Sequence, residues 1–398
     1  MQHQGRHFLQ IPGPSPVPDR VLRAMDMPVI DHRSAQFAEL AQAVFRGCQT
    51  IFQTSGPVII FPSSGTGAWE AAIVNTLSRG DRVLMYETGH FASLWKAMAA
   101  RLGLEVEFIS SDWRRGVDAA DVEARLSSDT AKKIKAVMVV HNETSTGVTS
   151  RIDEVAAAIR RSAHPALLLV DTISSLGSID YRHDEWGVDV TVGCSQKGLM
   201  LPPGLGFNAV SEKALAASRA GGMARSYWDW NEMLEPNSRG FFPYTPATNL
   251  LYGLREALDM LREEGLANVF ARHDRFAAAT RAAVKAWGLE ILCQNPKEYS
   301  SVLTAVLLPE GHDADYLRDV ILERYDVSLG AGLSKVKGKV FRIGHLGDLN
   351  EAMLLGALAA VEMGLAAAGV PHHAGGVDAA MDVLKRPIAV AGDDQTRL

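Results

Sequence analysis

The sequence contains no run of about 18 uncharged apolar residues, the length that a membrane-spanning helix requires. It has only three cysteines, Cys48, Cys194 and Cys293, which lie far apart and lack the spacing of a metal site or a disulfide framework. Positive charge is not in excess either, because the formal net charge is -6. These absences argue against a membrane protein and against a surface for nucleic acid or anionic lipid. Since no apolar signal segment opens the chain, we expect a cytoplasmic protein.

Short apolar runs alternate with helix-like periods through the first half of the chain. The runs lie at 58–61, 82–86, 105–109, 136–140, 166–170 and 188–192. Strands that alternate with helices indicate a mainly parallel α/β sheet. Apolar residues that are continuous rather than alternating are typical of strands with helices on both faces. The sequence therefore predicts a large α/β domain built on a parallel sheet.

The remainder of the chain has a different character. A helical stretch at 248–264 leads through Gly265 into a second one at 269–287, and candidate strands follow at 300–308, 327–329 and 340–344. This pattern predicts a smaller α+β domain. We expect an N-terminal arm over residues 1–19, a large domain over 20–265 and a small C-terminal domain over 266–398. The arm should be extended because Ile11–Pro18 is rich in proline, and the polar end at 392–398 should fray.

Lys197 is an isolated cation just beyond the apolar run at 188–192. A buried amine loses hydration, which lowers its pKa and suits it to attack a carbonyl group. Asp171 ends the preceding apolar strand, where a carboxylate can face a protonated pyridine nitrogen. A structural ion pair or an N-cap would explain either residue alone. Together they suggest pyridoxal 5'-phosphate as the cofactor.

Three further motifs can bind anions or a flat ring. Ser64, Gly65 and Thr66 follow a strand and open a helix, which makes either an anion site or an ordinary helix cap. The polar segment 141–147 follows another strand, at the edge where ligands of such sheets bind. Arg342 lies inside an apolar strand and needs an anion, either a substrate carboxylate or a structural partner.

In the order of these motifs, the chain resembles class V aminotransferases of fold type I from Pro12 to about residue 370. The resemblance is carried by Ser64-Gly65-Thr66, the segment 139–150 (VVHNETSTGVTS), Asp171, the segment 195–202 (SQKGLMLP) and the segment 240–246 (GFFPYTP). It is similar to the branch that uses alanine, serine or aspartate with glyoxylate. The resemblance implies a transaminase in which Lys197 forms an aldimine with the cofactor and moves the Cα proton.

The resemblance also implies roles for other residues of the site. Asp171 would bind the pyridinium, Phe91 would stack on the ring and Thr144 would contact its phenolic side. Arg342 would bind the substrate α-carboxylate. The phosphate would be surrounded by Ser64, Gly65, Thr66 and Gln196, and by Thr245 of a neighbouring subunit, which implies a homodimer with composite sites. Phe242 stands where some relatives have a phosphate-binding tyrosine, and Tyr244 is its candidate replacement.

The implied reaction is ping-pong transfer of an amino group from an L-amino acid to glyoxylate, which gives glycine and a 2-oxo acid. Serine and aspartate are the expected donors, with alanine as the alternative. Arg33 or Arg225 would favour aspartate by pairing with its second carboxylate.

Among the alternatives, a cysteine desulfurase would need a cysteine on a mobile loop. A nicotinamide-dependent oxidoreductase or a non-catalytic binding protein would leave Lys197 and Asp171 without a role.

Overall fold

The computed structural model describes residues 5–386, so the predicted polar end at 392–398 lies outside it. Its strands are β1 (Phe8–Gln10), β2 (Val58–Ser63), β3 (Arg82–Tyr86), β4 (Glu105–Ile109), β5 (Ile134–Val140), β6 (Asn142–Glu143), β7 (Val148–Thr149), β8 (Leu167–Asp171), β9 (Val190–Cys194), β10 (Gly204–Val210), β11 (Glu290–Ile291), β12 (Leu303–Leu307), β13 (Val327–Ala331) and β14 (Val340–Gly344). All six runs predicted as strands in the first half are strands.

The α-helices lie between the strands and after them. They are α1 (Asp19–Met25), α2 (Ala35–Phe52), α3 (Gly65–Thr76), α4 (His90–Arg101), α5 (Ala119–Ser128), α6 (Ile152–Arg161), α7 (His183–Trp186), α8 (Glu212–Ala220), α9 (Trp230–Ser238), α10 (Thr248–Glu264), α11 (Leu266–Ala286), α12 (Ala314–Tyr325), α13 (Glu351–Ala367) and α14 (Gly376–Leu384). Within residues 5–386, no helix is both long enough and apolar enough to cross a membrane.

Seven strands form the large sheet, in the order β2-β10-β9-β8-β5-β3-β4. The pairs from β9 to β4 are all parallel, whereas β10 runs antiparallel to both of its neighbours. The predicted mainly parallel sheet is therefore confirmed. Because β2, β5, β8 and β9 point the same way, their carboxyl ends meet at one edge of the sheet.

Helices cover both faces of this sheet, which explains the continuous apolar strands. Successive side chains of a strand point to opposite faces. In β8, Leu167 and Leu169 join the core that contains α3 and α4, while Leu168 and Val170 join the core that contains α5 and α6. A central strand such as β8 is therefore apolar at every position that the helices cover.

Strand β10 was not predicted. Its sequence, Gly204-Leu-Gly-Phe-Asn-Ala-Val210, has glycine at its first and third positions, and glycine is uncommon in strands. The glycine at 206 has a packing reason, because a Cβ there would lie 2.8 Å from the backbone oxygen of Ser64. The close approach of β10 to the start of α3 therefore excludes a side chain at this position.

The second sheet has five strands in the order β1-β13-β14-β12-β11. Its last four strands are antiparallel neighbours and come from residues 290–344. Strands β12, β13 and β14 overlap the predicted runs, whereas β11 was not predicted. Strand β1 was not predicted; it comes from the N-terminal arm and pairs in parallel with β13. The arm is therefore hydrogen-bonded into this sheet, and its next residues cross towards Lys197.

Candidate active site

The carboxyl ends of β2, β5, β8 and β9 surround a cavity of about 160 Å³. Ligands of open α/β sheets bind at this edge. All but one of the residues predicted for the cofactor line the cavity: Ser64, Gly65, Thr66, Phe91, Thr144, Asp171, Gln196 and Lys197. The exception is Thr245, which is exposed and does not line the cavity. Six further residues complete its lining: Gly13, Pro14, Trp69, Val140, Asn142 and Ile173.

Lys197 lies three residues beyond β9, with only 8% of its surface exposed. Its Nζ donates a hydrogen bond to the backbone oxygen of Pro12 at 2.7 Å, and Ser15 Oγ donates to the backbone oxygen of Lys197 at 2.8 Å. Burial lowers the pKa of Lys197 to about 8. A useful fraction of the amine is therefore neutral near physiological pH, as a nucleophile or base requires.

Asp171 is the last residue of β8 and its carboxylate is buried. Its Oδ1 accepts a hydrogen bond from the backbone N–H of Ile173 at 2.6 Å, and its Oδ2 accepts one from Trp69 Nε1 at 3.0 Å. Burial raises the pKa of Asp171 to about 7. A cation placed in the cavity would favour the ionised form. Sequence reasoning missed Trp69, since a single tryptophan in a helix is most often a core residue.

The start of α3 lies at one end of the cavity and has groups that can bind an anion. Ser64 is the N-cap of this 12-residue helix, and its side chain makes no capping hydrogen bond. The first backbone N–H groups of a helix have no partner within the helix and carry partial positive charge. Within residues 5–386, the buried Oε1 of Gln196 also has no hydrogen-bond partner. These polar groups suit a phosphate monoester and the water around it.

Phe91 lies in the first turn of α4, which is held by a carboxylate that sequence reasoning had left without a role. Glu143 is fully buried, and its two oxygens accept hydrogen bonds from the backbone N–H of Phe91 at 3.3 Å and that of Ala92 at 3.0 Å. Ser145 Oγ donates to the same carboxylate at 2.7 Å. A negative charge at a helix N-terminus is favourable. Glu143 thereby holds the aromatic ring of Phe91 at the cavity.

Arg342 projects from the central strand β14 of the second sheet and is 7% exposed. Its Nη1 donates to the backbone oxygen of Thr144 at 2.7 Å and its Nε to that of Ala331 at 2.8 Å. Burial lowers its pKa to about 10, so the group stays cationic at neutral pH. Within residues 5–386, Nη2 of Arg342 makes no hydrogen bond. Arg342 is tied to the cavity through Thr144 but does not itself line it.

A larger cleft of about 530 Å³ has His141 in its wall. Its walls include Arg182 and Tyr299, and its charged groups pair at the surface; Arg182, for example, binds Asp180 and Glu185 at 2.9 Å each. Surface pairs of this kind contribute little and indicate no reacting group. The chemistry therefore belongs to the smaller cavity that contains the buried Lys197.

The family model for class-V aminotransferases matches residues 7–344 of the chain. The chain belongs to the class-V aminotransferase family. The predicted fold type I is thereby confirmed, and the nicotinamide-dependent and non-catalytic alternatives are excluded. The buried lysine, the aspartate at the strand end and the phosphate-sized anion site are thus parts of an aminotransferase.

This class-V aminotransferase is similar along nearly its whole length to proteins of known activity. A serine–glyoxylate aminotransferase of Methylorubrum extorquens is 51% identical over 97% of this chain and 98% of the relative. An L-aspartate–glyoxylate aminotransferase of Paracoccus denitrificans is 45% identical over 96% and 97%. The crystal structure of the ureidoglycine–glyoxylate aminotransferase of Bacillus subtilis superposes with a TM-score of 0.90 at 28% identity, covering 97% of this chain and all of that one.

Class-V aminotransferases use pyridoxal 5'-phosphate, which confirms the predicted cofactor. The residues of the cavity fit this molecule. A buried amine, a buried carboxylate, an aromatic ring and the N-terminus of a helix correspond to its aldehyde, ring nitrogen, ring face and phosphate.

The three cysteines do not fit a desulfurase. All are buried, and burial raises the pKa of Cys194 to about 12 and that of Cys293 to about 11. A buried thiol with a raised pKa is a poor nucleophile. None of them lies on an exposed loop aimed at the cavity.

Proposed function

We propose that this aminotransferase transfers the amino group of L-serine to glyoxylate, which yields glycine and 3-hydroxypyruvate. The observation that carries the proposal is the buried Lys197 opposite Asp171, in a chain 51% identical to a serine–glyoxylate aminotransferase over nearly its full length. L-Aspartate is the second candidate donor, because a relative that is 45% identical is an L-aspartate–glyoxylate aminotransferase.

Each residue of the cavity has its own role in the reaction. Bound pyridoxal 5'-phosphate supplies an aldehyde that combines with amines and a ring that withdraws electrons from Cα. Lys197 Nζ removes the Cα proton of the donor and returns a proton to complete the transfer, which its pKa of about 8 permits. The Asp171 carboxylate holds the ring nitrogen protonated. Phe91 and Thr144 position the ring, while Ser64, Gly65, Thr66 and Gln196 bind the phosphate.

Arg342 binds the α-carboxylate that all amino-acid donors and glyoxylate share. Its Nη1 and Nε are held by backbone oxygens, which orients the guanidinium and leaves Nη2 for a substrate oxygen. Fixing the carboxylate also fixes the direction of the Cα–H bond relative to Lys197. Such orientation is a large part of catalysis when a proton must be removed along one direction.

The cations around the cavity favour serine over aspartate. Within residues 5–386, Lys197 is the only cationic side chain that lines it. Arg225 is committed elsewhere: its Nη2 donates to the backbone oxygen of Ser218 at 3.0 Å, and its Nε lies 3.4 Å from Asp229 Oδ1. Arg33 is exposed. With Arg342 assigned to the α-carboxylate, neither the lining of the cavity nor Arg225 offers the second carboxylate of aspartate a partner within the described part of the same subunit. An unpaired charge is costly to bury.

A donor panel with glyoxylate as the acceptor tests the proposal. We expect kcat/KM for L-serine to exceed that for L-aspartate by about tenfold or more, since one unpaired buried charge costs at least that factor. A higher value for L-aspartate would overturn the choice of serine. In that case, a selective loss of aspartate activity in Arg33→Ala, and not in Arg225→Ala, would identify Arg33 as the missing cation.

We propose a homodimer in which Thr245 of one subunit reaches the phosphate of the other. The exposure of Thr245 outside its own cavity supports this arrangement. Light scattering should give twice the chain mass of 43.0 kDa. A monomeric mass in the active enzyme would rule out the composite site.

We propose the cytoplasm as the site of action, because all three cysteines are free thiols, as expected in a reducing compartment. Cell fractionation with a soluble and a secreted marker checks it. Recovery with the secreted marker would contradict it.

A further inference from the structure

Trp69 is a buried residue of α3 that lies between the two ends of the cofactor cavity. It follows the phosphate-binding start of the same helix by one turn, and its indole N–H donates to Asp171 Oδ2 at 3.0 Å. One helix therefore contacts both the proposed phosphate site and the carboxylate that would face the ring nitrogen. Trp69 itself is 3% exposed and lines the cavity.

We propose that Trp69 is a positioning residue that orients the Asp171 carboxylate and stabilises its ionised form through the indole N–H. This inference rests on the proposed role of Asp171 at the ring nitrogen. An indole N–H donates and cannot accept, so it favours a carboxylate oxygen that carries no proton. Hydrogen bonds to a carboxylate favour its charged state.

The balance at Asp171 is close enough for one hydrogen bond to matter. Burial disfavours the charged carboxylate, and the buried Glu143 adds a like charge nearby. Two donors oppose these effects, the backbone N–H of Ile173 and the indole of Trp69. The positive charge of Lys197 acts in the same direction. The backbone donor is fixed by the chain, so the indole is the side-chain hydrogen bond that favours the charged form of Asp171.

Trp95 provides a matched control inside the same core. Its ring stacks on Trp69 with the ring centroids 5.8 Å apart and an angle of 15° between the planes. Trp95 is fully buried, and its Nε1 has no hydrogen-bond partner within residues 5–386. Replacing either tryptophan with phenylalanine removes the same volume from the same cluster. Only Trp69→Phe removes a donor from Asp171.

Binding of pyridoxine 5'-phosphate to the cofactor-free protein, measured by calorimetry between pH 6 and 9, tests the inference without turnover. This molecule has the ring nitrogen and the phosphate but lacks the aldehyde, so Lys197 cannot bond to it covalently. We expect Trp69→Phe to bind it about tenfold more weakly at pH 7, since a hydrogen bond to a charged group is worth about that factor. The pH at which wild-type binding strengthens should move upward in this variant.

Two variants separate the hydrogen bond from packing. Trp95→Phe should bind within about twofold of the wild type, because it leaves every hydrogen bond of Asp171 in place. Trp69→His should recover part of the affinity, since its Nε2 occupies the ring position of the indole nitrogen. Equal losses in Trp69→Phe and Trp95→Phe, or no recovery in Trp69→His, would overturn the inference. A wild-type protein that does not bind pyridoxine 5'-phosphate would instead contradict the cofactor site itself.

Discussion

At the scale of single residues, the properties of the site come from the burial of charged groups. Lys197 and Asp171 are both almost fully enclosed, and burial disfavours the charged form of each. The pKa of the amine falls while that of the carboxyl rises. A cofactor that brings a protonated ring nitrogen and a reactive aldehyde would complement both groups at once. The cavity is therefore matched to a specific charge pattern as well as to a shape.

The lowered pKa of Lys197 gives a prediction about pH. The amine is reactive when neutral, so the rate at which the cofactor-free protein gains visible absorbance with pyridoxal 5'-phosphate should rise with pH. We expect the rate to reach half of its maximum near pH 8, where the amine is half deprotonated, and to level off about one unit higher. Stopped-flow absorbance measures this rate. A rise that continues to about pH 10.5, the usual pKa of an exposed lysine, would contradict the effect of burial.

Sequence patterns identified those site residues whose type is unusual for their position. A lysine after an apolar strand and an arginine inside one both need an explanation, and Asp171 and Ser64 stand at strand ends where ligands bind. Trp69 could not be found in this way, because its role depends on a contact with Asp171, which lies 102 residues away. The spacing of residues along the sequence does not show which distant side chains the fold brings into contact.

At the scale of elements, apolar runs identified the strands whose two faces are both covered. Strands β3, β4 and β14 have the predicted bounds and β8 ends at Asp171 as predicted, whereas β9 ends two residues later than predicted. The strands of the described chain that were missed are β1, β6, β7, β10 and β11, and two of them show why. β1 belongs to the arm and is a strand only because β13 pairs with it, and β10 carries glycine where α3 comes close. Tertiary contacts determine both, so local propensity could not reveal them.

The close approach of β10 to α3 predicts the effect of a small substitution. Gly206→Ala should push the Ser64 backbone away, because the new Cβ would lie 2.8 Å from its oxygen. We expect the Kd for pyridoxal 5'-phosphate to rise about tenfold, the cost of one weakened charge-assisted hydrogen bond. Gly221→Ala is the control, since its Cβ would meet only Ser78 Oγ at 3.7 Å. Equal affinities in the two variants would contradict the proposed phosphate site.

At the scale of the whole molecule, the large sheet and the arm line the cavity, and Arg342 of the second sheet bonds to its lining residue Thr144. The large sheet supplies Lys197 and Asp171, the second sheet supplies Arg342, and the arm reaches Lys197 through the backbone oxygen of Pro12. The arm also bonds to the second sheet, where Gln10 donates to the backbone oxygen of Gly344. The division into an arm, a large domain ending at 265 and a small domain stays a prediction.

The central claim is that this assembled site moves an amino group through Lys197, in two separable halves. The most direct measurement mixes the cofactor-loaded enzyme with L-serine and no acceptor in a stopped-flow spectrometer, followed by glyoxylate. We predict loss of the visible cofactor band with one 3-hydroxypyruvate formed per site, and then return of the band with one glycine. Lys197→Ala should bind the cofactor but give neither half at a comparable rate. A wild-type band that serine leaves unchanged, or a Lys197→Ala variant as fast as the wild type, would contradict the claim.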